Sequence, residues 1–299
     1  MILNASGCLD ALTAPQVVRQ LDAFVTKTVT PLPREGNPPP RIAETETGML
    51  NTIGLANPGI HAFVDDVLPR LEKLGVPIWV SVGGFSTSDY VECCDLLDEH
   101  DSVAAVELNV SCPNVAAPAE SAFDICSAAR RATSKPLYAK LSPAVPDVGA
   151  VALAAAEAGV DGLSLVNTIL GLAMNEHTLA PVLSARAGGM SGPALHPIAL
   201  AAVDKCHRAV HLPIVGMGGV FSGWDALALI AAGASAVALG TVLFTDPFAA
   251  TRIRTELVAE SRARGVDNPF ELCGIAYEKT RPSLTANVDN PLSGLREKT

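Results

Sequence analysis

Eight short apolar segments recur along the chain, and a helix-like segment follows each of them. Their short length and β-branched content suit strands that are buried on both faces of a parallel sheet. The predicted strands are Ile2–Ala5, Ala23–Thr28, Pro77–Val82, Ala104–Val110, Leu137–Leu141, Gly162–Asn167, Pro213–Gly216 and Ala236–Leu239. Amphipathic or alanine-rich segments such as Asp147–Ala158 and Pro197–Val210 are the predicted helices. The eightfold alternation predicts a (β/α)8 TIM barrel rather than a doubly wound sheet, because no GxGxxG fingerprint follows the first strand.

Length and composition indicate a single α/β domain. The chain has 299 residues, of which 49% are hydrophobic and 17% are charged, so it can bury a large core. Barrels of this length are commonly one domain. We therefore predict a barrel over residues 1–280, followed by a polar C-terminal tail over residues 281–299.

Charge and residue usage exclude several classes of protein. Acidic residues outnumber basic ones 31 to 21, and this balance with no basic run argues against nucleic-acid binding. No targeting segment opens the sequence, and no apolar run of about 18 residues predicts a membrane span. Seven cysteines without CxxC spacing indicate reduced thiols in the cytoplasm. The six histidines form neither HxH nor HExxH, so no metal site is expected.

Two connections are long for a compact domain, from Val29 to Val76 and from Thr168 to Leu212. Long loops are usually lids or binding loops. Both follow predicted strands, so in a barrel both leave from the C-terminal end, where the active sites of such barrels lie.

Polar residues stand at the ends of four predicted strands, namely Lys27, Asn109, Lys140 and Asn167. A single lysine at such a place can simply extend into solvent. Four polar residues at one rim instead predict a pocket for an anionic ligand that accepts and donates hydrogen bonds, because buried polar groups are costly unless they are paired.

A phosphate site is predicted after the last two strands. Gly216-Met-Gly-Gly219 follows the seventh strand and Gly240-Thr241 follows the eighth. Barrels often bind phosphate with backbone N–H groups of these two loops, and glycine lets the backbone approach the oxygens closely. The phosphate can belong to a substrate or to a flavin.

A cysteine lies in a polar loop beyond the fourth strand, within Glu107-Leu-Asn-Val-Ser-Cys-Pro-Asn114. Cysteine is most often a buried structural residue. At this rim, however, the Cys112 thiol could serve as a nucleophile or, as a thiolate, as a base. The residues alone leave these alternatives open.

Taken together, the motifs resemble class 1 dihydroorotate dehydrogenases. The segments that carry the resemblance are Asn4-Ala-Ser-Gly7, Val25-Thr-Lys-Thr28, Arg34-Glu-Gly-Asn-Pro38, Asn51-Thr-Ile-Gly-Leu55, Asn109-Val-Ser-Cys-Pro-Asn114, Lys140-Leu-Ser-Pro143, Val166-Asn-Thr168, Gly216-Met-Gly-Gly219 and Gly240-Thr241. Asn51–Leu55, Ser191-Gly-Pro193 and Gly216–Gly219 look most like class 1B. In that class the flavin subunit pairs with an iron–sulfur/FAD subunit that passes electrons to NAD⁺, whereas class 1A is a homodimer that uses fumarate.

The resemblance implies FMN-dependent oxidation of (S)-dihydroorotate to orotate in pyrimidine biosynthesis, and a homodimeric arrangement of the chain. It implies that Cys112 is the catalytic base. The implied substrate contacts are Lys27, Asn51, Thr52, Ile53, Gly54, Leu55, Asn109, Asn167 and Thr168. The implied FMN contacts are Ser6, Lys27, Thr28, Asn109, Lys140, Val166, Gly192, Gly218, Gly219, Gly240 and Thr241.

The chain departs from the family pattern in two places that concern the site. The loop after Asn114 is shorter than the usual class 1B loop, which acts as a lid over the base, and Ser81 stands where class 1B has an asparagine that contacts FMN. Three alternatives are therefore kept: a flavin barrel for another pyrimidine, a phosphate-binding isomerase or lyase, and a degraded homologue serving as a subunit.

Overall fold

The computed structural model of the protein describes residues 1–110 and 118–277. In chain order the strands are β1 (Ile2–Asn4), β2 (Phe24–Val25), β3 (Ile42–Thr45), β4 (Gly48–Asn51), β5 (Ile78–Val82), β6 (Val103–Asn109), β7 (Leu137–Leu141), β8 (Gly162–Leu165), β9 (Ile169–Leu172), β10 (Ala187–Ser191), β11 (Ile214–Met217) and β12 (Ala236–Leu239). The α-helices are α1 (Pro15–Val18), α2 (Ile60–Ala62), α3 (Leu68–Glu72), α4 (Thr87–Asp98), α5 (Pro118–Ala132), α6 (Val148–Glu157), α7 (His196–Ala209), α8 (Gly223–Ala231), α9 (Val242–Thr245) and α10 (Ala249–Arg262). A π-helical turn, Phe63–Val67, and three 3₁₀ turns, Pro193–Leu195, Pro269–Leu272 and Ile275–Tyr277, complete the regular elements.

Eight of the strands form a parallel barrel in the order β1-β12-β11-β8-β7-β6-β5-β2. A parallel bridge between Leu3 and Ala23 joins the two edges of this sheet and closes the ring. The Asn4 side chain strengthens the closure, since its Nδ2 donates to the Val25 carbonyl at 2.7 Å and its Oδ1 accepts from the Val25 N–H at 2.8 Å. The predicted (β/α)8 barrel is confirmed.

Side chains fill the barrel, so it is a packed core rather than a pore. Leu3, Val25, Trp79 and Met217 belong to an inner apolar cluster, and the Trp79 ring lies 4.4 Å from the ring of Tyr138. A larger apolar cluster lies between the strands and the surrounding helices. With both faces buried, the barrel strands read as continuous apolar runs, which is why they could be predicted from the sequence.

A second sheet, antiparallel and four-stranded in the order β3-β4-β10-β9, was not predicted. The first long connection supplies β3 and β4, and the second supplies β9 and β10. Gly189 of β10 pairs with Asn51 of β4 and with Leu170 of β9, so the two connections are joined to each other. What the sequence indicated as two separate loops is therefore one small sheet, and it contributes residues to the pocket described below.

In the part of the chain that the structure describes, no helix combines the length and the apolar character needed to span a membrane. The predicted polar tail over residues 281–299 lies outside the described residues.

Candidate active site

A cavity of about 590 Å³ opens at the C-terminal ends of the barrel strands. Every predicted site residue within the described part of the chain lines it: Ser6, Lys27, Thr28, Asn51, Thr52, Ile53, Gly54, Leu55, Asn109, Lys140, Val166, Asn167, Thr168, Gly192, Gly218, Gly219, Gly240 and Thr241. Cys112 lies outside the described residues. The structure thus brings the predicted side chains together, while their individual roles stay predictions.

Two lysines enter the cavity, Lys27 from the segment after β2 and Lys140 from β7. The Lys140 Nζ, near the end of β7, donates to the Ser6 hydroxyl at 2.8 Å and lies 3.8 Å from Oε1 of Glu107. Burial, and after it the nearby charge of Lys140, lower the pKa of Lys27. Two cations held in low dielectric repel each other, so an anion bound between them would be stabilised by both.

Two asparagines are locked to each other on neighbouring parts of the rim. The Asn167 Nδ2 donates to Oδ1 of Asn109 at 3.0 Å, and the Thr168 N–H donates to Oδ1 of Asn167 at 2.9 Å. The Tyr90 hydroxyl donates to the carbonyl of Asn109 at 2.9 Å, which fixes the end of β6. Amide side chains both donate and accept, so this pair suits a ring with alternating carbonyl and N–H groups.

The glycine loop after β11 forms a cradle without room for side chains. Gly218 and Gly219 have φ of 118° and 69°, and a Cβ on Gly219 would stand 2.7 Å from Cβ of His196 and 2.8 Å from the Gly192 carbonyl. The His196 ring Nδ1 lies 3.0 Å from the carbonyl of Gly218. Because Gly218 and Gly219 line the cavity without side chains, their backbone N–H groups can face phosphate oxygens.

The second predicted phosphate loop lies beside this cradle, because it follows β12, the strand next to β11 in the barrel. The Thr241 hydroxyl, at the start of α9, donates to the Ser191 hydroxyl at 2.8 Å, which ties the loop after β12 to the end of β10. The glycines and hydroxyls of these two neighbouring loops lie in the same cavity as two lysines. Together they are a donor set that fits a phosphorylated, anionic cofactor such as FMN.

The sequence analysis singled out Ser81 but did not predict Glu107 or Asn37 as site residues. Ser81, where the family pattern has an asparagine, is buried and shares a 3.0 Å hydrogen bond with the Thr28 hydroxyl, and it is not among the lining residues. Glu107 lies beneath Lys140, and Asn37 lines the cavity beside Thr52. Glu107 belongs to the same motif as Cys112, and Asn37 belongs to the Arg34–Pro38 motif. Neither motif shows which residues the side chains of Glu107 and Asn37 contact.

Comparison with known proteins agrees with this geometry. Residues 1–260 match the family model described as dihydroorotate dehydrogenase. The chain is 44% identical over 265 residues to the dihydroorotate dehydrogenase B (NAD(+)) catalytic subunit of Desulforudis audaxviator, covering 86% of each chain. It is 40% identical over 286 residues to the protein of the same name from Fusobacterium nucleatum, covering 92% of this chain and 94% of that one.

Among solved structures, ligand-free DHODH from Eimeria tenella superposes with a TM-score of 0.77 over 92% of this chain and 88% of that one. At 24% identity, this likeness supports the barrel fold alone.

Proposed function

The chain belongs to the dihydroorotate dehydrogenase family, and on that premise we propose that it is an FMN-binding catalytic subunit of class 1B that oxidises (S)-dihydroorotate to orotate. The observation that carries the proposal is the cavity itself. Two lysines, a locked asparagine pair and a glycine cradle line one pocket at the end of the barrel where active sites lie.

We propose that the glycine cradle holds the phosphate of FMN. The residues that would contact it are Gly192, Gly218, Gly219, Gly240 and Thr241. When bound, FMN supplies the acceptor for the hydride that leaves C6 of the substrate. Ser6, Thr28, Lys140 and Val166 complete the lining, and Lys140 supplies the positive charge that stabilises negative charge developing during the reaction.

The substrate is a carboxylate on a pyrimidinedione ring, and the remaining residues suit both parts. Lys27 and the segment Asn51–Leu55 are proposed to bind the carboxylate, while Asn109 and Asn167, with Thr168, bind the ring edge. Oxidation also requires a base for the C5 proton, which lies beside a carbonyl and is weakly acidic. We propose Cys112 for this role from the resemblance alone, since the residue lies outside the described part of the chain.

We propose that electrons leave through a partner subunit. The relatives are named catalytic subunits of an NAD(+)-linked enzyme, which implies a second subunit. This sequence has neither a dinucleotide fingerprint nor a cysteine cluster spaced for an iron–sulfur centre. The partner would therefore be the iron–sulfur/FAD protein that transfers electrons to NAD⁺.

We also propose that two copies of the chain associate. Leu170 and Leu172 on the edge strand β9 are 80% and 55% exposed, and an edge strand with apolar side chains favours association. Sedimentation of the parent protein and of Leu170→Asp at equal concentration tests this. A parent that sediments as a monomer would contradict the proposal.

The deciding experiment is anaerobic turnover of dihydroorotate by the purified chain. We expect a yellow protein that releases FMN on denaturation, reduces an artificial dye with dihydroorotate, and reduces NAD⁺ only when the partner subunit is added. A flavin-loaded protein without dihydroorotate turnover would remove the proposed activity. Direct reduction of fumarate would move the chain to class 1A.

A further inference from the structure

The segment Asn51–Leu55 has an unusual backbone where it lines the cavity. Gly54 and Leu55 are consecutive residues with positive φ, 74° and 57°. Residues other than glycine rarely adopt a positive φ, and this backbone conformation persists only where the surrounding structure holds it. Within residues 1–110 and 118–277, the backbone N–H groups of Ile53, Gly54 and Leu55 have no protein partner. Consecutive unpaired N–H groups in such a turn can bind an anion.

Asn37 holds the first half of this segment. Its backbone N–H donates to the Ile53 carbonyl at 3.0 Å, and its Nδ2 donates to the carbonyl and the hydroxyl of Thr52 at 3.0 and 2.8 Å. Both side-chain donors are thus used inside the protein. The fit is close, because a Cβ on Gly54 would stand 2.6 Å from the Asn37 nitrogen.

Asn57 holds the second half of the segment. Its Nδ2 donates to the Leu55 carbonyl at 2.7 Å and to the Thr30 hydroxyl at 2.8 Å, while its Oδ1 accepts from the N–H groups of Thr30 and Gly59. Thr30 is buried, so the amide of Asn57 is anchored to the framework. Unlike Asn37, Asn57 is not among the residues that line the active-site cavity, and its contact with a lining residue of the segment is the hydrogen bond to Leu55.

We propose that Asn37 and Asn57 are positioning residues for substrate binding: they clamp residues 52–55, so that Gly54 and Leu55 keep the left-handed conformation and the N–H groups of the segment face the substrate carboxylate. The inference rests on the proposed function, in which this segment binds that carboxylate. It assigns a role to two side chains that do not need to contact the substrate themselves.

The sharpest variant is Asn57→Asp. A carboxylate keeps the oxygen that accepts from Thr30 and Gly59 but removes the donor to the Leu55 carbonyl. Asn37→Asp removes the donors to Thr52 in the same way. The matched control is Asn268→Asp, because the Asn268 side chain accepts from Phe270 at the start of a 3₁₀ turn and lies outside the lining residues.

We expect both clamp variants to raise the dissociation constant of orotate and the KM for dihydroorotate on the order of tenfold, the effect of a lost hydrogen bond to a well-placed group. FMN content, kcat and melting temperature should stay close to those of the control. Amide hydrogen exchange of the peptide that contains residues 51–57 should be faster than in the parent, both with and without bound ligand.

The outcomes separate the two proposals. A parent protein that fails to bind orotate would overturn the proposed function. A parent that binds orotate, together with clamp variants of unchanged orotate affinity and unchanged exchange, would overturn the clamp alone. The clamp would also be overturned if both variants lost FMN content, kcat and melting temperature to the same extent as orotate affinity. Such a result would show that the two asparagines have a general structural role.

Discussion

Glu107 and Lys140 form the buried ion pair beneath the cavity, with 3.8 Å between Oε1 and Nζ and exposed fractions of 1% and 4%. Oε1 of Glu107 has no hydrogen-bond partner among the described residues, so this oxygen contributes through charge alone. The carboxylate offsets the charge of Lys140, one of the two lysines that line the cavity. The pair therefore allows the cavity to hold two lysines before any ligand binds.

We predict that Glu107→Gln strongly lowers the free energy of unfolding of the flavin-free protein. Removing one partner of a buried pair takes the counter-charge away from the other, and such losses are about 3–5 kcal/mol. The double variant Glu107→Gln/Lys140→Met should lose less than the sum of the two single variants, because no buried charge of the pair remains. Urea unfolding of the four apoproteins measures this coupling. Additive losses would mean that the two charges do not stabilise each other.

We predict that, at pH values above the lowered pKa of Lys27, orotate binding is accompanied by uptake of a proton at this lysine. Burial first, and Lys140 second, hold the pKa of Lys27 below its ordinary value of 10.5. Between the lowered pKa and 10.5 the unfolded chain binds more protons than the folded one, so the contribution of Lys27 to stability rises with pH in that window. A bound anion reverses the shift, so orotate affinity should fall as pH rises through the lowered pKa.

Calorimetric titrations in buffers of different ionisation enthalpy measure this uptake. Lys27→Met should weaken orotate binding and abolish the uptake, and Lys27→Arg should abolish the uptake while keeping a charge. Unchanged affinity in Lys27→Met would return this lysine to the role of a rim residue that extends into solvent.

The barrel could be predicted from the sequence because its strands are local apolar runs. The predicted bounds of Leu137–Leu141 and Ala236–Leu239 agree with those of β7 and β12. The small sheet could not be predicted, since β10 contains two glycines within five residues and lacks an alternating pattern, and its partner β4 lies far away in the sequence.

The candidate site likewise has one part that could be predicted from the sequence and one part that could not. Residues at strand ends, such as Asn109 and Lys140, could be predicted because the fold places all strand ends at one rim. The contacts of Asn57 and Glu107 depend on which atoms lie across from them in space, and no spacing along the chain records this.

We predict that Gly219→Ala impairs flavin retention far more than it impairs folding. The new methyl group would collide with His196 and with the Gly192 carbonyl inside the proposed phosphate cradle. Gly75→Ala is a matched control, because Gly75 has the same φ of 69° and nothing stands within 4 Å of its added Cβ. Both variants place alanine at the same φ, so a difference in FMN affinity, measured by fluorescence titration of the apoprotein, reports the cradle. Equal FMN affinity in the two variants would place the phosphate elsewhere.

The last prediction concerns Cys112 as the base for the C5 proton. A neutral thiol cannot accept a proton, and the free thiol pKa is about 8.5, so dihydroorotate oxidation should accelerate as pH rises toward that value. Cys112→Ala should keep FMN and orotate binding yet lose about 10²–10⁴-fold in the rate of dihydroorotate oxidation, the usual contribution of a general base. Cys112→Ser should be slow and partly recovered at high pH, because a hydroxyl is a far weaker acid than a thiol.

Anaerobic stopped-flow mixing with dihydroorotate across pH measures these rates, and Cys273→Ala, at an exposed cysteine outside the cavity lining, controls for the loss of a thiol. If Cys112→Ala oxidises dihydroorotate at the parent rate, the cysteine is structural and another group removes the proton.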